Sequence, residues 1–330
     1  MTRDPVTLAL VQAGLLGLAF CASLLVGAAD IPLPALFTAA AAGDPDVLLI
    51  LREIRLPRAL LALAIGAGLG MSGAALQALL RNPLAEPGVV GISATGALGA
   101  VLAFYSGASA RLALALPLGG LLGALAGTLV ILRLTRGTGA TLALILAGVA
   151  LTTLASAGTS LVLSLAPNPY AAYEIIFWLM GSLADRSLTH FALAAPFICI
   201  GLLVLARAAR DLEALALGED TARSLGVDVA RLKRRVVVGT ALAVGPGVAV
   251  AGFIGFVGLL VPHALRALLG ARPRLLLPHS ALGGALVTLV ADIGCRLVQA
   301  NGELKLGIVT ALLGAPFFLY LLTRERGVGA

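Results

Sequence analysis

Arg52, Arg55 and Arg58 crowd the entrance to an apolar stretch, and the last two frame the tetrapeptide RLPR. Guanidinium groups gathered in this way can make a positive surface that captures an acidic partner. They can equally well anchor a helix at the headgroups of a bilayer. Arg296 is placed to join them, although Asp292, four residues earlier, is spaced to hold it in an internal ion pair instead.

The stretch Arg207 to Arg235 carries seven Arg or Lys and five Asp or Glu between apolar segments. Such a block cannot lie in hydrocarbon, where a central Arg or Lys costs roughly 2.5–3.5 kcal/mol. It faces water, on the side where basic residues are retained. Within it, Leu215 to Arg235 reads as two short helices joined through Gly226. Leu215, Leu217, Leu225, Val227 and Val229 have little reason to persist in a merely solvated loop, and they suggest a face for a partner. A second break, RNPLAEPG from Arg81 to Gly88, is either a plain turn or a constriction at the inner mouth of a pore, with Glu86 near the start of the following helix.

Catalytic chemistry finds no foothold. No nucleophile–base pair, zinc motif or G-x-x-x-x-G-K-[ST] phosphate loop is present. His190, His263 and His279 adjoin expected membrane boundaries, and Cys21, Cys199 and Cys295 stand apart, so no metal site is expected. Gly68 to Gly73 matches G-x-G-x-x-G inside a continuous apolar helix, which is the wrong context for a dinucleotide. These glycines, with Gly66 and with Gly119, Gly123 and Gly127, fit close helix packing.

The elements that position these residues are membrane helices. Of 330 residues 60% are hydrophobic and 12% charged, about half the charge of a soluble domain. The reading is an all-α, polytopic membrane protein forming one domain, 1–330. Ten spans fall near 6–27, 58–80, 90–106, 112–133, 141–165, 190–207, 235–251, 254–268, 276–298 and 305–323. The eighth is too short to cross unaided and is expected to begin or end in a protein-lined cavity. Residues 171–183, set off by Pro167 and Pro169, are expected to form a half-helix at the outer surface. With both termini inside, sixteen of the 23 basic residues face the cytoplasm, and of the seven that face outward the arginines at 52, 55 and 58 form a cluster.

Taken together, RLPRALLALAIGAGLGMSGAALQALLRNPLAEPGVVGISATGALGA (55–100), FWLMGSL (177–183), LALGEDTARSLGVDVARLKRR (215–235), GFIGFVGLLVPHALR (252–266), LLLPHSALGGALVTLVADIGCR (275–296) and ELKLGIVTALLGAPFFLYLL (303–322) resemble the permease family of ATP-binding-cassette importers for iron chelates, haem and cobalamin. The resemblance implies a homodimer in the bacterial inner membrane, with two ATPase subunits below and a periplasmic binding protein above. It implies that Arg55, Arg58 and Arg296 receive glutamates of that binding protein. Leu217, Gly218, Glu219, Ser224, Leu225, Gly226 and Val227 would belong to the element seated in a cleft of the ATPase, and Asn82, Leu84 and Thr141 would form the inner gate. The chain itself would hold no cofactor; ATP and Mg would sit on the partners, and the cargo would be haem or another iron chelate. Lys305 departs from the proline frequent in the family, and ELKLG leans toward the haem-importing branch. An ion-coupled carrier is the rival class. It usually needs an ionisable group at mid-membrane, whereas Glu174, Asp292 and Glu303 fall near span ends.

Overall fold

The computed structural model describes residues 4–27, 38, 42–112, 114–136, 141–166, 169–300 and 302–326. Long helices dominate: α1 (Pro5–Leu25), α2 (Pro45–Leu80), α3 (Ile92–Tyr105), α4 (Ala115–Leu134), α5 (Thr141–Ser164), α6 (Leu188–Ala216), α7 (Val229–Ala251), α8 (Val257–Leu269), α9 (Pro273–Leu297) and α10 (Leu306–Arg326). Among the described residues seven are long and apolar enough to cross a membrane, while α3, α8 and the apolar part of α10 are shorter. A two-residue hairpin, Gln299–Ala300 against Gly302–Glu303, links α9 to α10.

The half-helix is Pro169–Leu179, ending earlier than the sequence suggested; Pro167 lies outside the described residues. Gly181 at φ +75° then turns the chain, and a Cβ there would stand 2.2 Å from the Phe253 carbonyl oxygen.

α2 is the central post, packed against α6, α7, α8 and α9, while α3, α4 and α5 form a second group alongside. Glycine permits the contact. A Cβ on Gly70 would lie 1.9 Å from the Ser280 carbonyl oxygen, and one on Gly73 would lie 1.8 Å from that of Gly258. Gly68 faces Ala243 of α7, and Gly123 of α4 meets Thr95 of α3 in the same way. The glycine spacing is therefore helix packing without a hydrophobic driving force between helices. Outward faces carry bare leucines such as Leu10, Leu18, Leu146 and Leu154, a surface that water would not tolerate at this extent.

Ahead of RLPR, α2 widens over Ile50–Arg55, where the Leu56 N–H reaches back five residues to the Leu51 carbonyl. Pro57 has no N–H and its ring would press on a carbonyl four residues back; the wider turn relieves that pressure, as such bulges commonly do beside functional groups.

α6 and α7 also run further than expected. The acidic and basic residues of 207–216 and 229–235 continue these helices beyond their apolar parts instead of forming a loop. The expected pair of short helices is thus one short helix, Glu219–Ser224, between two long ones.

Candidate functional site

At one end of α2 the arginines are held by the end of α1. The last carbonyls of a helix have no partner within it, and exposing them at membrane depth would be costly. Arg55 Nη1 donates to the Leu24 and Leu25 carbonyls at 2.9 and 2.7 Å. Arg296 Nη1 donates to those of Ser23 and Val26 at 2.8 and 2.9 Å. Two side chains from α2 and α9 thereby close all four carbonyls of Ser23 to Val26, and cations suit that end of the helix dipole.

Asp292 lies between the remaining donors. Arg58 reaches its two oxygens from Nε at 2.9 and 3.1 Å, and its Nη2 lies 2.8 Å away. Arg296 donates to Asp292 through Nε at 3.0 Å and also through Nη2. Asp292 is 0% exposed, Arg55 3% and Arg296 7%. The i,i+4 pairing of Asp292 with Arg296 is realised, and Arg58 joins it from α2. Above this cluster a cavity of about 450 Å³ is lined by Arg55, Arg58 and Arg296 and by Glu53, Asp185 and Arg186. Arg52 stays out in solvent beside Glu53.

The other end of the molecule carries the turn between α6 and α7. Gly218 at φ +121° and Gly226 at φ +85° bracket the short helix, conformations that side-chain-bearing residues seldom adopt. Glu219 accepts from Arg223 at 2.9 Å and lies 3.6 Å from Lys233 on α7. Ser224 donates to the Asp220 carbonyl, and Asp228 caps α7 through the Arg231 N–H.

The apolar residues of this turn divide into two sets. Leu215, Ala222 and Val229 are buried and seat the short helix, and Val227 is half-buried against the same core. Leu217 and Leu225 are 68% and 62% exposed. They stand on a charged segment outside the apolar windows, so lipid does not account for them.

Asn82 and Leu84 lie in the break after α2. Arg81 ends the helix in the left-handed region at φ +48°, and Asn82 Oδ1 accepts from the Leu84 N–H at 2.9 Å, a local turn. Thr141 opens α5, but the contact of α5 with this segment comes higher, where Gly148 faces the Val89 carbonyl and Thr152 faces Gly91. Glu86 corrects its expected role. Its carboxylate accepts from the Phe256 N–H, at the N-terminus of α8, and not from the helix that follows it in sequence. Phe256 sits at φ +65°, and the irregular residues 252–256 that precede the short α8 are enclosed mainly by protein, as irregular backbone at this depth requires.

Burial raises the Glu86 carboxyl above its usual value, and the Phe256 N–H partly opposes the shift. A carboxyl so raised binds its proton more tightly in the fold than in the unfolded chain. Its contribution is fully present below the unfolded pKa and is lost as pH rises through the raised folded value. Glu86→Gln keeps an acceptor without the charge. We expect thermal melts of the variant to lose less stability than the native protein as pH rises from 4.5. Parallel curves across that window would refute the assignment.

Residues 15–324 match the FecCD transport family.

This chain belongs to that family.

It is 42% identical to the vitamin B12 import system permease protein BtuC of Vibrio cholerae, over 83% of this chain and 82% of the relative. It is 40% identical to the hemin transport system permease protein HmuU of Yersinia pestis, over 83% of each. A solved inward-facing structure of a metal-chelate type ABC transporter superposes with TM-score 0.86 at 32% identity, covering 97% of this chain and all of that one. As a FecCD-family member the chain is an ABC importer permease, a transport component.

Three features of this FecCD permease escaped sequence reasoning. Ser23, which accepts from Arg296 through its hydroxyl and its carbonyl, carries no motif. The Glu86–Phe256 bond spans 170 residues. His279, expected at an interface, is buried on α9 with its Nδ1 2.6 Å from Gln12 Oε1 of α1; an unpartnered Gln in the first apolar helix was the one available sign. Among the described residues no group of His, Cys, Asp and Glu could hold a metal ion.

Proposed function

We propose that the chain is the membrane subunit of an ATP-driven importer in a bacterial inner membrane. It crosses ten times with both termini in the cytoplasm and works as a homodimer. ATP, with Mg, is hydrolysed by two partner subunits beneath it, and a periplasmic binding protein delivers the cargo from above. The observation that carries this reading is the exposure of Leu217 and Leu225 on a turn whose other apolar residues are buried. A motor that fits over those two leucines pushes on α6 and α7 together, because Glu219–Lys233 ties the turn to α7 and Asp211–Arg235 ties α7 to α6.

The α2 end, with Arg55, Arg58 and Arg296 around the cavity, is the proposed seat of the binding protein. The two ends of α2 between Leu56 and Leu80 are roughly 36 Å apart, the span of a bilayer core and its edges. The inner gate is proposed at Asn82, Leu84 and Thr141, near the base of a path lined by α5, α8 and α10.

For the cargo we propose haem or another iron chelate. Lys305 lies 5.8 Å above the Phe177 ring on the half-helix, a cation beside an exposed aromatic face that suits a flat anionic cargo. The identity to a vitamin B12 permease supports the alternative, cobalamin; a ferric siderophore is a further candidate. The test is reconstitution with the cognate ATPase and binding protein in vesicles, comparing haem, ferric siderophore and cobalamin. ATP-dependent accumulation of one of them supports the reading. Accumulation by the isolated chain, driven by an ion gradient without ATP, would overturn it.

A further inference from the structure

Residues 252–256, the irregular link between α7 and α8, meet the end of the half-helix and the start of α10 almost backbone to backbone. A Cβ on Gly252 would stand 2.2 Å from the Trp178 carbonyl oxygen. One on Gly307, the second residue of α10, would stand 2.3 Å from the Met180 carbonyl oxygen and 2.5 Å from that of Phe253. Two hydrogen bonds complete the seam. The Ser182 N–H donates to the Ala251 carbonyl at 2.7 Å, and the Gly307 N–H donates to that of Gly181 at 3.2 Å. Backbones packed this closely leave no space into which one could slip past another, so these three segments form one body.

The other side of the link is held by the break after α2. Glu86 accepts from the Phe256 N–H at 2.6 Å, at the N-terminus of α8, where a carboxylate is favoured. Beside it Pro87 packs on Gly258, where a Cβ would lie 2.8 Å from Pro87 Cδ. Gln77 of α2 donates to the Gly258 and Leu259 carbonyls at 3.3 and 3.4 Å. Phe256 keeps φ +65°, a conformation a non-glycine residue adopts only when its surroundings impose it. A helix is usually capped by the residue that opens it. Phe256 opens α8 and offers no capping side chain, so the fold assigns that duty to a residue 170 positions away.

The segment that carries Glu86 also carries Asn82 and Leu84, and it is folded by its own turns. The Ala85 N–H donates to the Asn82 carbonyl at 3.2 Å, and the Val89 N–H donates to that of Glu86 at 3.0 Å. Ala85 and Val90 are buried. A displacement of Asn82 and Leu84 therefore takes Glu86 with it, and Glu86 takes the link.

We propose that Glu86 is a positioning residue of the transport cycle, whose bond to the Phe256 N–H makes the break after α2 and the half-helix move together. The inference rests on the proposed inner gate at Asn82 and Leu84. Coupling between distant segments needs a contiguous set of contacts with two arrangements, and here the contacts run from Leu84 through Glu86, Phe256 and Phe253 to Gly181.

The test is hydrogen–deuterium exchange on the whole transporter, permease with its ATPase subunits in nanodiscs, with ATP and vanadate added or withheld. In the native protein the nucleotide should alter exchange both at 82–90 and at 169–181. Glu86→Asp keeps the charge but falls short by one C–C bond, about 1.5 Å, which takes the contact out of hydrogen-bond range. Exchange at 252–256 should then rise roughly tenfold or more, because a bond to a charged acceptor is lost. The response at 169–181 should vanish while ATP hydrolysis and the response at 82–90 persist. Glu86→Gln keeps the reach without the charge and should retain both responses. If Glu86→Asp retains the half-helix response, Glu86 merely caps α8 and the linkage is refuted, with the gate left standing. If Glu86→Gln loses that response while Glu86→Asp keeps it, the charge matters and not the bond, which also overturns the proposal. If the nucleotide leaves 82–90 unchanged in the native protein, the gate and the linkage fail together.

Discussion

Asp292→Ala should be the most damaging single substitution in this protein. Two guanidiniums, from Arg58 on α2 and Arg296 on α9, are neutralised by this one carboxylate, which has no exposure of its own. Removing one member of a buried ion pair typically costs about 3–5 kcal/mol, because the other charge is left buried and uncompensated. Here two charges are left. Arg296 would also be released from the position in which it closes the Ser23 and Val26 carbonyls, so α1 would lose part of its C-terminal capping. Arg58→Met should cost much less, since Arg296 still balances Asp292. The measurement is a thermal melt of the purified permease in detergent, with the recovered yield as a second readout. The account predicts a large drop for Asp292→Ala and a small one for Arg58→Met. Equal melting of Asp292→Ala and the native protein would refute the clamp.

The second large effect is functional and leaves the fold intact. Leu217→Asp combined with Leu225→Asp places two carboxylates where two bare leucines stand. Neither leucine packs into the core, so melting should change little, as is usual for surface positions. An apolar anchor at the centre of an interface commonly carries about 2 kcal/mol or more, and an added buried charge opposes docking further. We expect the ATPase subunits to be lost on purification of the double variant and ATP-driven uptake to fall to background. Retention of both subunits with normal uptake would remove the turn from the coupling role. Ala222→Asp is the contrasting control. Ala222 is fully buried under the short helix, so this change should lower the melting temperature as well.

Much of this was legible along the chain. The long apolar runs, the charged segment at Arg207 to Arg235, the half-helix and the short α8 all follow from local hydrophobicity and from where proline and glycine interrupt it. The glycine pattern of α2 declared helix packing for the same reason: small residues at helical spacing leave a groove on whichever face they share. Helix ends were read less well. α6 and α7 continue through their charged residues because water satisfies those side chains while the backbone stays helical, and composition alone cannot distinguish that from a loop.

The candidate sites divide in the same way. Arg55, Arg58 and Arg296 stood out as charges at odds with their surroundings, and Asp292 was visible as the i,i+4 neighbour of Arg296. That Arg58 shares the same carboxylate required α2 and α9 to come together across 234 residues. Five apolar residues marked the turn between α6 and α7, but their division into seats and exposed faces depended on how the short helix lies against those two helices.

What the sequence alone determined is where the chain meets lipid, where it meets water and which charges are out of place. Each of those depends on the transfer of a residue between solvents, a property carried by the residue and its near neighbours. Only the tertiary structure decided which partner each charge has: Arg296 with Ser23, Glu86 with Phe256, Arg186 with none for its Nε. A hydrogen bond is satisfied over about 3 Å, and residues far apart in sequence come within that distance only when helices pack.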